Sequence, residues 1–101
     1  MLGSNRDPAS QIKHDEMVLK IIREYEGKNY KVYADIEEYR KPSIIGGYRP
    51  DVLAVKHGYR TIVEVETLDS LKTHEAAARD SAFRRACRRS PKTDYKRAIT
   101  R

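Results

Sequence analysis

The sequence predicts an α/β fold in which a mixed sheet lies between two layers of helix. Three observations support this fold class: an apolar stripe with helical spacing near the N-terminus, two short β-branched runs around a turn signal, and an alanine-rich segment after them. Strands that are preceded by one helix and followed by another favour a three-layer arrangement, in which the second helix serves as a crossover. At 101 residues, the chain is expected to form one domain with a modest core.

The first helix is predicted to begin at Asp7-Pro8, after a leader at residues 1–6 that has no packing role. Aspartate is a favoured N-cap and proline is favoured at the first helical position. Gly27 is predicted to end the helix as its C-cap. The apolar stripe recurs at i, i+3, i+4 and i+7 and consists of Val18, Ile21, Ile22 and Tyr25. Residues 7–101 are expected to form the single domain.

Three strands are predicted to follow. Alternating apolar residues indicate a half-buried strand at residues 29–37. The runs at residues 52–55 and 61–65 are rich in β-branched residues, and Gly58 between them can adopt the positive φ of a short hairpin loop. We therefore predict a β-hairpin, with residues 38–48 as a loop that leads into it.

A second helix is predicted from about residue 69 to residue 88, because the run at residues 76–78 consists of alanine. Ser90-Pro91 is expected to stop this helix. A last strand is predicted at residues 93–99. The helix residues expected to face the sheet are Leu68, Leu71, Ala78 and Phe83.

The hairpin carries three carboxylates at one end. Asp51 opens its first strand, and Glu64 and Glu66 lie two residues apart on the second strand, so that their side chains share a face. Carboxylates that approach one another repel, and they relieve the repulsion by raising their pKa values or by binding a cation. Hard oxygen ligands suit Mg²⁺ or Mn²⁺. The alternative is that both glutamates line a solvent-facing strand and that Asp51 is a turn residue.

Positive charge is concentrated at the C-terminal end. Residues 79–101 contain nine Lys and Arg against two Asp, whereas the net charge of the whole chain is +6. This asymmetry predicts a polyanionic partner, nucleic acid first and an anionic membrane surface second; the alternative is a solvated helix face. We expect DNA rather than a membrane. The residues expected to contact phosphates are Arg84, Arg85, Arg88 and Arg89.

Other classes of protein are disfavoured. The single cysteine, Cys87, cannot form an intrachain disulfide, and the absence of a long apolar stretch disfavours a membrane span, so a cytoplasmic location is expected. The histidines at positions 14, 57 and 74 lack ligand spacing, which disfavours a zinc site. A thin core is compatible with a homodimer.

The element order and the hairpin residues together resemble the PD-(D/E)xK nuclease superfamily, which includes restriction endonucleases and archaeal Holliday junction resolvases. The resemblance covers the chain from about residue 8 and is carried by Pro50-Asp51, thirteen residues of hairpin, and then Glu64-Val65-Glu66. Glu16 on the first helix resembles a glutamate that many members have there. The resemblance implies a restriction endonuclease-like αβββαβ core and metal-dependent DNA cleavage.

The same resemblance implies a role for each site residue. Asp51 and Glu64 would bind Mg²⁺ or Mn²⁺ together with the backbone carbonyl of Val65, and Glu16 would assist. Glu66 stands where the family has a lysine that activates water and offsets charge on the phosphate. It could act as general base or as an extra metal ligand, the lysine could have moved to Lys72, or catalysis could be lost.

We therefore expect a metal-dependent DNA endonuclease. One alternative is a catalytically inactive module with a nuclease-like fold that binds DNA or another protein. A further alternative is a structural or regulatory partner protein.

Overall fold

The computed structural model describes residues 7–100; the expected leader at residues 1–6 lies outside them. In chain order the elements are α1 (Pro8–Glu26), β1 (Lys31–Ala34), β2 (Val52–Lys56), β3 (Tyr59–Glu66), a 3₁₀ turn at Ser70–Lys72, α2 (His74–Arg89) and β4 (Thr93–Ile99). Within this part of the chain, neither helix is long and apolar enough to cross a membrane.

Helix α1 has the predicted bounds. The side chain of Asp7 accepts a hydrogen bond of 2.8 Å from the backbone N–H of Ser10, and Pro8 occupies the first turn. The helix ends at Glu26, and its cap Gly27 keeps a right-handed φ of −63°. The left-handed residue that redirects the chain toward β1 is instead Asn29, with a φ of 68°.

The sheet is mixed, with the strand order β1-β2-β3-β4. The first three strands pair antiparallel, and β4 pairs with β3 in parallel after the crossover through α2. The predicted hairpin is confirmed: β2 and β3 are joined by His57 and Gly58, which both have the positive φ of a two-residue hairpin turn. The prediction of an α/β fold with a mixed sheet is therefore confirmed.

The two helices cover opposite faces of this sheet. Val63 and Val65 of β3 pack in one buried cluster with α1, whereas Ile62 packs in another cluster with Phe83 of α2. Because side chains alternate along a strand, Glu64 and Glu66 share the face of Ile62 and point toward α2.

Three sequence-based details are wrong. Strand β1 is shorter than predicted, and the predicted start of the second helix is a separate 3₁₀ turn. Helix α2 begins only after Thr73, whose side chain accepts a hydrogen bond from the backbone N–H of Ala76. The buried face also differs: Phe83 is buried as predicted and Ala76 is buried as well, whereas Ala78, and Leu68 before the 3₁₀ turn, are exposed.

Candidate functional site

The side chains of Asp51 and Glu64 each accept one backbone hydrogen bond across the β2–β3 hairpin. The backbone N–H of Asp51 donates to Oε2 of Glu64 at 2.7 Å, and the backbone N–H of Val65 donates to Oδ2 of Asp51 at 2.8 Å. We call the two side chains, Asp51 and Glu64, the carboxylate clasp. The hairpin register pairs Val52 with Val63, so Asp51, which directly precedes β2, lies opposite Glu64. The clasp therefore follows from the strand pairing.

The third hairpin carboxylate, Glu66, lies next to the clasp on the same face of β3. Its Oε1 accepts a hydrogen bond of 2.8 Å from the Ser70 hydroxyl, which the 3₁₀ turn supplies. Glu64 and Glu66 are only 3% and 2% exposed. This burial rules out the alternative that the two glutamates line a solvent-facing strand.

Arg79 of α2 is the cation that contacts these buried carboxyl groups. Its Nε lies 3.1 Å from Glu64, its Nη2 lies 3.4 Å from Glu66, and its Nη1 donates to exposed Glu75 at 2.8 Å. One guanidinium therefore contacts three glutamates. The alternative position for a displaced lysine, Lys72, is exposed on the 3₁₀ turn.

On the opposite side of the clasp, α1 contributes His14. Its Nε2 lies 3.3 Å from Oδ1 of Asp51, and its Nδ1 lies 3.0 Å from Asp15. Glu16, the residue expected to assist, is exposed two positions further along α1 and lines a surface pocket with Lys13, Met17 and Lys20. The structure thus brings together Asp51, Glu64 and Glu66 but places Glu16 elsewhere.

Burial, together with the negative charge of Asp51, raises the pKa of Glu64 from its ordinary value of 4.5 to about 9. The hydrogen bond from the backbone of Asp51 and the charge of Arg79 lower the pKa of Glu64, but they do not outweigh burial. In the absence of another cation, Glu64 therefore carries a proton at neutral pH.

This proton makes stability depend on pH. The folded protein holds it up to a pH of about 9, whereas the unfolded chain loses it above pH 4.5, so its stabilising effect is complete below pH 4.5 and lost as pH approaches 9. We expect the free energy of unfolding to fall between pH 5 and pH 9, by up to about 1.4 kcal/mol per pH unit. Urea denaturation in EDTA at a series of pH values measures this free energy of unfolding. Glu64→Gln is the control, and an equal slope in that variant would assign the pH dependence to other groups.

The four arginines expected to bind phosphates have different surroundings. Arg84 donates to Asp80 at 2.8 Å and lies over the ring of Tyr95. Burial raises the pKa of Asp80, but hydrogen bonds from Arg84 and Tyr95 hold it below its usual value. Arg85, Arg88 and Arg89 are exposed, and within residues 7–100 none of these three forms an ion pair. Arg84 is thus partly neutralised, whereas the other three are available.

Asp51 and Glu64 of the clasp are the site residues that could hold a metal ion. No group of three or more His, Cys, Asp or Glu within residues 7–100 is placed to hold a metal ion. Mg²⁺ in phosphoryl-transfer sites, however, is usually held by one or two carboxylates and completes its coordination with water and substrate oxygens. Two carboxylates whose repulsion raises a pKa suit such an ion.

His14 and Arg79 were missed in the sequence, although both lie on recognisable stripes. His14 precedes Val18 by four residues and therefore continues the apolar stripe of α1 by one turn, whereas Glu16 lies on the far side. Arg79 follows Ala76 by three residues and precedes Phe83 by four, so it lies on the buried face of α2. A charged residue on a buried stripe indicates a polar partner inside the fold.

Comparisons with protein families, curated proteins and solved structures find no match to this chain.

Proposed function

We propose that this chain is a small metal-dependent nuclease of the PD-(D/E)xK type that hydrolyses phosphodiester bonds in DNA. The observation that carries the proposal is the carboxylate clasp, in which burial, together with the negative charge of Asp51, raises the pKa of Glu64 to about 9. A pair of carboxylates held together at this electrostatic cost gains most from a divalent cation. The element order helix, three strands, helix, strand supports the same family.

Asp51 and Glu64 would hold Mg²⁺ or Mn²⁺, which would activate water and neutralise the phosphate. The backbone N–H groups of Asp51 and Val65 keep both carboxylates in one orientation. His14 contacts the other oxygen of Asp51 and positions it from α1. The β2–β3 hairpin therefore preorganises the site, and α1 helps to position it.

In this proposal Arg79 supplies the positive charge that the family obtains from a lysine at the position of Glu66. Glu66 uses one carboxylate oxygen for Ser70 and the other for Arg79. Its role is then to position Arg79 rather than to act as general base or metal ligand. A guanidinium at this place would stabilise the charge that develops on the phosphate.

The direct test is cleavage of labelled duplex, branched and single-stranded DNA with Mg²⁺ or Mn²⁺, with EDTA as a control. We expect cutting that requires metal and that Asp51→Asn abolishes. The asparagine oxygen can still accept the N–H of Val65, so the fold should persist, which circular dichroism checks. Cutting by Asp51→Asn at the original rate would place the active site elsewhere.

A second candidate function is DNA binding without cleavage. The contacts of Arg79 with both Glu64 and Glu66 favour it, because an internal cation already lies beside these two side chains, where a metal ion would bind. Tight binding of DNA that depends on salt, with no cutting under any metal, would support this function over the first. Failure to bind DNA would leave only the interpretation as a partner protein.

A further inference from the structure

A groove of about 330 Å³ lies between the C-terminal half of α2 and the loop that leads into the hairpin. Its charged lining comes from three arginines on two elements: Arg60 on β3, and Arg85 and Arg89 on α2. Arg85 and Arg89 are four residues apart, so their side chains lie one above the other on one face of the helix. The apolar part of the lining includes Ile44, Ala82 and Ala86.

The wall opposite α2 is a defined turn. The backbone groups of Ile45 and Tyr48 exchange hydrogen bonds of 2.8 and 3.1 Å, and Gly46 between them has a φ of 62°. A Cβ at Gly46 would lie 3.1 Å from the Cβ of Ala82, a tight contact, and the positive φ of Gly46 also favours glycine at this close approach to α2. The groove is thus built by close packing of the loop on the helix.

The charges in the groove are not neutralised inside the protein. Within residues 7–100, no carboxylate lies within ion-pair distance of Arg60, Arg85 or Arg89, whereas Arg84 on the neighbouring face is paired with Asp80. Arg60 is oriented by a hydrogen bond of 2.9 Å from its Nε to the hydroxyl of Thr93, which leaves its terminal nitrogens for a ligand. Three arginines with this spacing suit an anion with several oxygens, such as phosphate.

The opposite side of the fold has the reverse charge. A pocket of about 640 Å³ between α1 and the loop after β1 is lined by four carboxylates, from Asp15, Asp35, Glu37 and Glu38, with Lys41 as its one basic residue. A polyanion would be repelled from that pocket. We therefore expect DNA to approach from the side of α2.

We propose that Arg60, Arg85 and Arg89 form a binding site for the phosphate backbone of DNA, to one side of the scissile phosphate. This proposal rests on the proposed function for the position of the cut. Along α2, Arg85 lies about 9 Å and Arg89 about 15 Å from Arg79, at 1.5 Å per residue. Phosphates bound in the groove would therefore lie beside Arg79, displaced from it along α2 by about 9 to 15 Å.

The test compares two double variants that each remove two positive charges from an exposed helix surface. Arg85→Ala/Arg89→Ala alters the groove, and Lys20→Ala/Arg23→Ala alters exposed residues of α1, on the other face of the sheet. Affinity for a fluorescent duplex is measured over a range of salt concentrations in EDTA, which prevents cutting. We expect the groove variant to bind about tenfold more weakly or worse and to lose about 2 from the slope of log affinity against log salt, whereas the control loses little.

The outcomes separate this proposal from the proposed function. Equal losses of affinity in both double variants would contradict the proposed phosphate site. Failure of the unaltered chain to bind duplex would also contradict it. If only the groove variant loses affinity and no metal-dependent cutting is seen, the proposed phosphate site is supported and the proposed nuclease function is rejected. Thermal unfolding of all variants confirms that the comparison is made between folded proteins.

Discussion

Replacement of Arg79 by methionine is expected to reduce the free energy of unfolding by about 3 kcal/mol at neutral pH. Methionine keeps much of the side-chain volume but removes the guanidinium that contacts Glu64 and Glu66, whose side chains are only 4% and 3% exposed. Removing one partner from a buried ion pair leaves the other partner desolvated without compensation, which costs more than the pair contributes. Urea denaturation measures the change.

Two further variants define the origin of that loss. Arg88→Met removes an exposed arginine from the same helix and should change stability by no more than about 0.5 kcal/mol. Glu66→Gln in the Arg79→Met background removes the uncompensated carboxylate and should restore part of the stability. An equal effect of Arg79→Met and Arg88→Met would show that the ion pairs with Arg79 do not hold the fold together.

Glu64→Gln is expected to separate chemistry from folding. Glu64 carries a proton at neutral pH because its pKa is raised to about 9, so glutamine reproduces its neutral form with nearly the same shape. Stability at pH 7 should therefore change little, and at pH 9 the variant should be the more stable protein. Metal-dependent cleavage should fall by at least about 100-fold, because a metal ligand matters at least as much as the groups that support it.

The measurement pairs urea denaturation at pH 7 and pH 9 with cleavage under saturating Mg²⁺. Thr61→Val is a suitable control on the same strand, because Thr61 lies outside the clasp. If Glu64→Gln kept full activity, Glu64 would not bind the metal and the proposed function would need another ligand. If the variant were strongly destabilised at pH 7, Glu64 would be charged in the folded protein.

The local elements could be predicted because their signals lie within a few residues of one another. The β-branched runs and Gly58 predict the hairpin, and the spacing of Asp51, Glu64 and Glu66 then predicts that their carboxylates meet at one end of it. The stripe from Val18 to Tyr25 predicts α1. In each case the pattern and the turn chemistry agree.

The remaining parts of the site depend on how separate elements pack. The pairing of Arg79 with the clasp requires the helical phase of α2 that places Arg79 on the same face as buried Ala76 and Phe83, and the alanine run does not specify that phase. Propensity indicates that a helix exists, but it does not specify its first residue. The choice between His14 and Glu16 likewise depends on the rotation of α1 over the sheet, which its buried stripe determines.

The two outer strands restrict how this protein can associate with itself. β1 is only four residues long, and β4 carries exposed Asp94, Lys96 and Arg97 along its length. Short strands and charged side chains are the features by which natural sheets resist the addition of a foreign strand. The sheet is thus protected against edge-to-edge aggregation, and a homodimer of this chain would have to pair through helix or loop surfaces.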